Sequence, residues 1–172
     1  MKTIRIECPN EAATRSVGEK LAQHACAPLC ITLSGPLGAG KSALVRAYLR
    51  ALGVTGPIKS PSYALVEPYN LSNYSVYHFD FYRFFDQNEW VESGFRDYFD
   101  EQAVCLVEWP EKAAGLLPLA DLAFELAYGS MTGPAPTPAD GFPASPDEPT
   151  TVRIMTVTAH TERGKQVLDH LI

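Results

Sequence analysis

At 172 residues the chain is long enough for one domain with a substantial core, and its 46% of hydrophobic residues is ordinary for a soluble globular fold. A net charge of −6, with no cluster of Lys and Arg, argues against independent tight binding to a nucleic-acid backbone. No apolar run approaches the ~18 residues of a membrane span, and residues 1–7 lack the apolar stretch of a secretory signal, so a cytoplasmic protein with no membrane association is expected.

Residues 3–8 read as an opening edge strand, with Ile4 and Ile6 alternating against Arg5 and Glu7. Asn10 and Glu11 then resemble a helix start, and Ala13, Val17, Leu21 and Ala25 recur at helical spacing before Pro28. Glu11 is read in two ways, as part of a plain helix cap or as a group close to a nucleotide base. Residues 29–33 form a short, mostly apolar run suited to a buried parallel strand.

The next eight residues organise the chain. Gly35-Pro36-Leu37-Gly38-Ala39-Gly40-Lys41-Ser42 fits G-x-x-x-x-G-K-[ST] and lies between a strand and a helix. Gly38 and Gly40 permit positive φ, which turns successive N–H groups inward as a nest for phosphates. The helix dipole reinforces that site, Lys41 supplies an ammonium for the outer phosphates, and Ser42 offers a hydroxyl to Mg²⁺. Pro36 through Ser42 are therefore the expected triphosphate-binding residues. After them, Leu44, Tyr48 and Leu52, flanked by Val45 and Leu49, give one apolar helix face, which Gly53 closes.

Residues 54–63 are rich in turn formers and lead into a strand at 64–67. Ser60 and Ser62 flank Pro61 and are read either as turn residues or as part of a segment that senses the outermost phosphate. Residues 74–83 read as a strand with Val76, His78, Asp80 and Tyr82 on one face and Tyr77, Phe79 and Phe81 on the other. A carboxylate set among aromatics is costly unless paired or coordinated, so Asp80 is expected near a metal or an attacking water, with an ion pair to Arg83 as the alternative. His78 reads as a satisfied half-buried histidine rather than a base.

Residues 89–99, interrupted by Gly94, suggest a short helix and a turn with solvated carboxylates. Residues 103–108 are five small or apolar residues ending in Glu108, which suits a buried parallel strand whose carboxyl end faces a ligand. Glu108 occupies the place of a Walker B acid, where it could hold Mg²⁺ or polarise a nucleophile; the plainer reading is a strand ending in a solvated acid. Residues 122–128 and 151–158 read as an antiparallel hairpin, and the Pro-rich stretch 131–150 between them as a disordered excursion. Val167, Leu168 and Leu171 form one face of a final short helix. Cys8, Cys26, Cys30 and Cys105 make no C-x-x-C pair and are taken as small apolar residues with reduced thiols. The expected whole is a single α/β domain over 1–172 with a P-loop NTPase-type sheet, its central strands parallel with antiparallel additions, and helices on both faces.

Four ordered blocks carry a resemblance: residues 35–42, then Lys59-Ser60-Pro61-Ser62-Tyr63-Ala64-Leu65-Val66-Glu67, then His78-Phe79-Asp80-Phe81-Tyr82-Arg83, then Val107-Glu108-Trp109-Pro110-Glu111. Together they closely resemble the TsaE (YjeE) family of small bacterial P-loop ATPases, required with TsaB and TsaD for the threonylcarbamoyladenosine modification of tRNA at position 37. The resemblance implies that the loop binds ATP and that Ser42 and Glu108 hold Mg²⁺. It implies further that Ser62 and Asp80 lie near the γ-phosphate and, with Lys41 and Glu108, are needed for turnover, while Trp109 borders the site. Glu11 and Glu111 are counted with it as further nucleotide-binding positions. Contact with tRNA would run through the TsaB–TsaD complex. The family pattern has Asp where this chain has Pro36, and Thr in place of Ser42 and Ser62; the serines keep a hydroxyl, whereas Pro36 removes an acid and an N–H. Two other functions share these motifs: a docking module gated by ATP with incidental hydrolysis, and a small-molecule kinase, which generally needs an arginine-rich lid absent here.

Overall fold

The computed structural model describes residues 1–129 and 152–172; the excursion expected at 131–150 lies outside them. Seven strands form one sheet: β1 (Lys2–Cys8), β2 (Leu29–Ser34), β3 (Val66–Asn70), β4 (Ser75–Asp80), β5 (Ala103–Glu108), β6 (Leu122–Gly129) and β7 (Val152–Ala159). Their spatial order is β1-β7-β6-β2-β5-β4-β3. Pairing is parallel for β6 with β2, β2 with β5 and β5 with β4, and antiparallel at both margins. The parallel centre and antiparallel additions follow the sequence reading, as does β1 at an edge.

Four helices accompany the sheet among the described residues: α1 (Glu11–His24), α2 (Lys41–Ala51), α3 (Gln87–Glu92) and α4 (Glu162–Leu168). The Asn10 side chain accepts the Ala13 N–H at 2.9 Å, so the cap at the start of α1 is present. Val17 and Leu21 of α1, Leu44, Val45, Tyr48 and Leu49 of α2, and Val167 and Leu168 of α4 bury one sheet face with Ile31, Leu33, Val104 and Leu106. Each such side chain contributes about 1.5–3 kcal/mol by leaving water. The opposite face of β4 and β5 carries an aromatic cluster. Phe79 and Phe81 are fully buried against Phe84, Trp90 of α3, and Phe95 in the 3₁₀ turn Phe95–Tyr98. Helical segments thus lie on both faces.

Most strand ends fall within one residue of the expected ranges, and the larger differences lie in β3 and β4. The third strand begins at Val66 and reaches Asn70, because residues 61–65 fold into a turn with Leu65 at φ 65° and its N–H bonded to Pro61 O at 2.7 Å. Pro68 is tolerated inside β3 because that strand is the sheet edge. The fourth strand stops at Asp80, where Tyr82 N donates to Asp80 Oδ1 at 3.0 Å and turns the chain. Of the cysteines, Cys8, Cys30 and Cys105 are buried but Cys26 is exposed, since it lies past the end of α1. Burial pushes the Cys30 thiol up to about 12, which leaves it protonated and inert at neutral pH. Among the described residues no helix is long and apolar enough to cross a membrane.

Candidate functional site

The parallel strands β2, β5 and β4 end side by side, and their carboxyl ends open on a cleft of about 330 Å³. In an open parallel sheet this edge is where ligands bind, because the loops that leave it diverge. Leu37, Gly38, Gly40, Lys41 and Ser42 line the cleft from the β2–α2 loop; Ser60, Ser62, Asp80, Glu108 and Trp109 line it from the neighbouring segments. Gly38 and Gly40 have φ of 78° and 106°, as the inward-facing nest requires. Ala39 is buried, with its N–H on Pro36 O at 3.2 Å, and neither it nor Pro36 lines the cleft.

Lys41 is only 4% exposed. Its ammonium donates to Gly35 O at 2.6 Å and Pro36 O at 2.9 Å and sits 4.0 Å from the centre of the Trp109 ring. Burial pulls the Lys41 pKa below the ordinary lysine value, opposed by the charges of Glu108, Glu111 and Asp80. Trp109 reaches this position from a left-handed backbone, φ 57°, its N–H bonded to Leu33 O at 3.2 Å. Such a conformation costs a non-glycine residue about 1–3 kcal/mol, so the fold holds the indole at the cleft against its local preference.

Ser42 Oγ lies 3.0 Å from both carboxylate oxygens of Glu108, which is 2% exposed. Its burial removes the plainer reading of Glu108 as a solvated acid. A hydroxyl and a carboxylate converging beside a phosphate nest form a hard-oxygen donor set that fits Mg²⁺. Asp80, in register with Glu108 across β4 and β5, accepts from the Ser60 hydroxyl and, at 3.4 Å, from Ser62 Oγ. Ser60 therefore makes the closer contact of the two serines. The alternative ion pair from Asp80 to Arg83 is not formed: the Arg83 guanidinium stacks over Tyr63 at 4.6 Å. Glu11 opens α1, is exposed, and faces a separate polar groove that meets the cleft at Ala43 and Arg46. Glu111 is exposed in the turn after Trp109, outside the cleft lining.

The β6–β7 hairpin adds groups absent from the sequence reading. Tyr128 Oη donates to Leu37 O at 3.1 Å, and the Arg153 side chain packs so close that a Cβ on Gly40 would lie 3.2 Å from its Cδ. Both contacts approach the phosphate loop from the side of β2 opposite Glu108 and Asp80. The available signal was alternation: Arg153 heads the stripe Met155, Val157, Ala159, and a cation on an otherwise apolar, inward-facing register position asks for a partner.

Comparison with known proteins agrees with this architecture. The family model described as threonylcarbamoyl adenosine biosynthesis protein TsaE matches residues 8–132. The tRNA threonylcarbamoyladenosine biosynthesis protein TsaE of Haemophilus influenzae is 40% identical over 133 residues, covering 74% of this chain and 84% of the relative. The protein of that name from Bacillus subtilis is 34% identical over 118 residues, 69% of this chain and 73% of the relative. Among solved structures, Bacillus subtilis YdiB superposes with a TM-score of 0.68 at 25% identity, covering 99% of this chain and 94% of its own. With the family model spanning most of the chain, including the strands and loops that carry Lys41, Ser42, Asp80 and Glu108, the chain belongs to the TsaE family.

Proposed function

We propose that this chain binds and hydrolyses ATP with Mg²⁺ and acts, with TsaB and TsaD, in the threonylcarbamoyladenosine modification of tRNA. The observation that carries the chemistry is the convergence of Lys41, Ser42, Glu108 and Asp80 on one cleft at the carboxyl ends of β2, β5 and β4. The pathway rests on the names of its relatives.

In this reading the nest from Leu37 to Gly40 holds the phosphates through backbone N–H groups, and Lys41 exchanges its loop carbonyls for phosphate oxygens as triphosphate enters. Ser42 and Glu108 would hold Mg²⁺, which would supply neutralisation of the charge that develops in phosphoryl transfer. Asp80, held by Ser60 and Ser62, lies beside that end of the cleft and orients the attacking water. Trp109 shields the lysine from bulk water, and Arg153 faces the loop from the opposite side. Turnover is slow without partners, because the side-chain partners of Asp80 and Glu108 are Ser60, Ser62, Ser42 and His78 and no arginine pairs with either acid among the described residues, and contact with tRNA runs through the partner complex rather than a basic surface of this chain.

The test is Glu108→Gln, a neutral replacement of the same shape, in cells that depend on this protein. ATP binding should persist, with the gain from Mg²⁺ reduced, while hydrolysis and tRNA modification both fall by about 100-fold. Full modification by a variant that binds but does not hydrolyse ATP would replace the ATPase reading with nucleotide-gated docking.

A further inference from the structure

His78 neither reaches solvent nor lines the cleft, yet its Nε2 lies 2.7 Å from Glu108 Oε1 with both side chains at most 3% exposed. A carboxylate accepts, so Nε2 carries the hydrogen. Nδ1 is buried with no hydrogen-bond partner among the described residues, and the ring's one bond goes to Glu108. Around the pair, Val76, Val104 and Leu106 fill the same sheet face with apolar side chains. Packing alone would favour another of these, because a buried polar pair rarely stabilises more than hydrophobic residues of similar volume.

We infer that His78 is a positioning residue for the Mg²⁺-holding carboxylate. It ties down one oxygen of Glu108 from below and so keeps the carboxylate turned toward Ser42, where both oxygens stand 3.0 Å from the hydroxyl. Glu108 ends its strand, and its side chain has more rotational freedom than an aspartate would. The histidine bond removes that freedom. One residue, Phe79, separates His78 from Asp80 on β4, so the two side chains share a face and one strand positions the metal-holding acid with one of them and carries the second acid of the cleft with the other. The inference rests on the reading of Ser42 and Glu108 as the Mg²⁺ site; hydrogen-bonded partners of metal-holding groups typically affect metal affinity by about 10–100-fold.

Calorimetry with the non-hydrolysable β,γ-imido analogue of ATP, in Mg²⁺ and in EDTA, tests it without reference to turnover. Wild type should bind more tightly in Mg²⁺. His78→Leu should lose about tenfold of that gain while its affinity in EDTA stays within about twofold. His78→Gln, whose amide nitrogen reaches the Nε2 position, should keep the gain; His78→Asn, which is too short, should lose it. The Gln and Asn pair decides the matter if the leucine variant does not fold. A full Mg²⁺ gain in His78→Leu or His78→Asn, or a loss in His78→Gln equal to that in His78→Asn, would overturn the positioning role while leaving the Mg²⁺ site intact. No Mg²⁺ gain in wild type would overturn that site and the inference with it.

Discussion

The charged groups of the cleft face one another across short distances, and their order explains which substitution hurts what. Lys41 is held by two loop carbonyls and an indole, so it is already placed before nucleotide arrives. In the proposed function its exchange from carbonyl to phosphate would be a swap of hydrogen bonds, which would keep the cost of ordering the side chain small. Arg153 approaches the loop from its other side and lines the same cleft. Arg153→Ala should weaken equilibrium ATP binding about tenfold, the loss expected of one charge-assisted hydrogen bond, with little change in the thermal midpoint of the free protein. Binding within twofold of wild type would show that Arg153 packs against Gly40 without meeting the ligand. These residues also mark where sequence reading reached its limit. Lys41, Ser42, Asp80 and Glu108 were legible because motif spacing and strand alternation place them locally. Arg153 and Tyr128 were not, since their approach to the loop depends on β6 and β7 adding to the far side of β2.

At the scale of elements, close approach decides how helices seat on the sheet. Gly18 of α1 faces α2 so tightly that a Cβ there would lie 2.6 Å from the Ala47 Cβ and 3.0 Å from Leu44 O. Gly164 of α4 is tighter, with its Cβ position 2.0 Å from the backbone oxygen of Asp121. Asp121 is itself fixed: Oδ2 accepts the Cys30 N–H at 2.9 Å, and Oδ1 accepts the Thr161 hydroxyl at 2.5 Å. Urea denaturation should therefore find Gly18→Ala about 1–3 kcal/mol less stable than wild type, and Gly164→Ala less stable still, because backbone cannot step aside as a methyl can. Equal stability of all three proteins would mean that the helices shift freely on the sheet. The same scale separates easy from hard boundaries in the sequence. Helices α1 and α2 were plain from their apolar spacing and their cap residues, Asn10 and Gly53. The turn at 61–65 was not, because Leu65 at positive φ breaks the usual assignment of a bulky apolar residue to a strand; its O accepts the Asp80 N–H at 3.0 Å, which ties the serine turn to the second acid.

For the whole molecule, the sheet order separates two functions of one cleft. Strands β4 and β5 bring the acids and the serine turn, whereas β6 and β7 bring Tyr128 and Arg153 against the loop, so nucleotide would bridge both halves. A ligand that joins both halves stabilises the native state by mass action. At a concentration about 100 times Kd, ATP with Mg²⁺ adds about 2.7 kcal/mol, which for a chain of this length raises Tm by about 5–10 °C. Differential scanning fluorimetry should show that rise in wild type and none in Lys41→Ala; an equal rise in both would place ATP elsewhere. The parallel centre with antiparallel margins was legible from βαβ alternation around the phosphate loop, and the TsaE family match, residues 8–132, extends over the parallel strands β2, β4, β5 and β6. In the proposed function, hydrolysis is set by this cleft and drawn out by partners. The most direct measurement is ATP hydrolysis by the purified protein, alone and with TsaB and TsaD, for wild type and Lys41→Ala. Slow turnover that rises with both partners and disappears in the variant is the predicted result. Tight ATP binding without hydrolysis under either condition, or hydrolysis unchanged in Lys41→Ala, would contradict it.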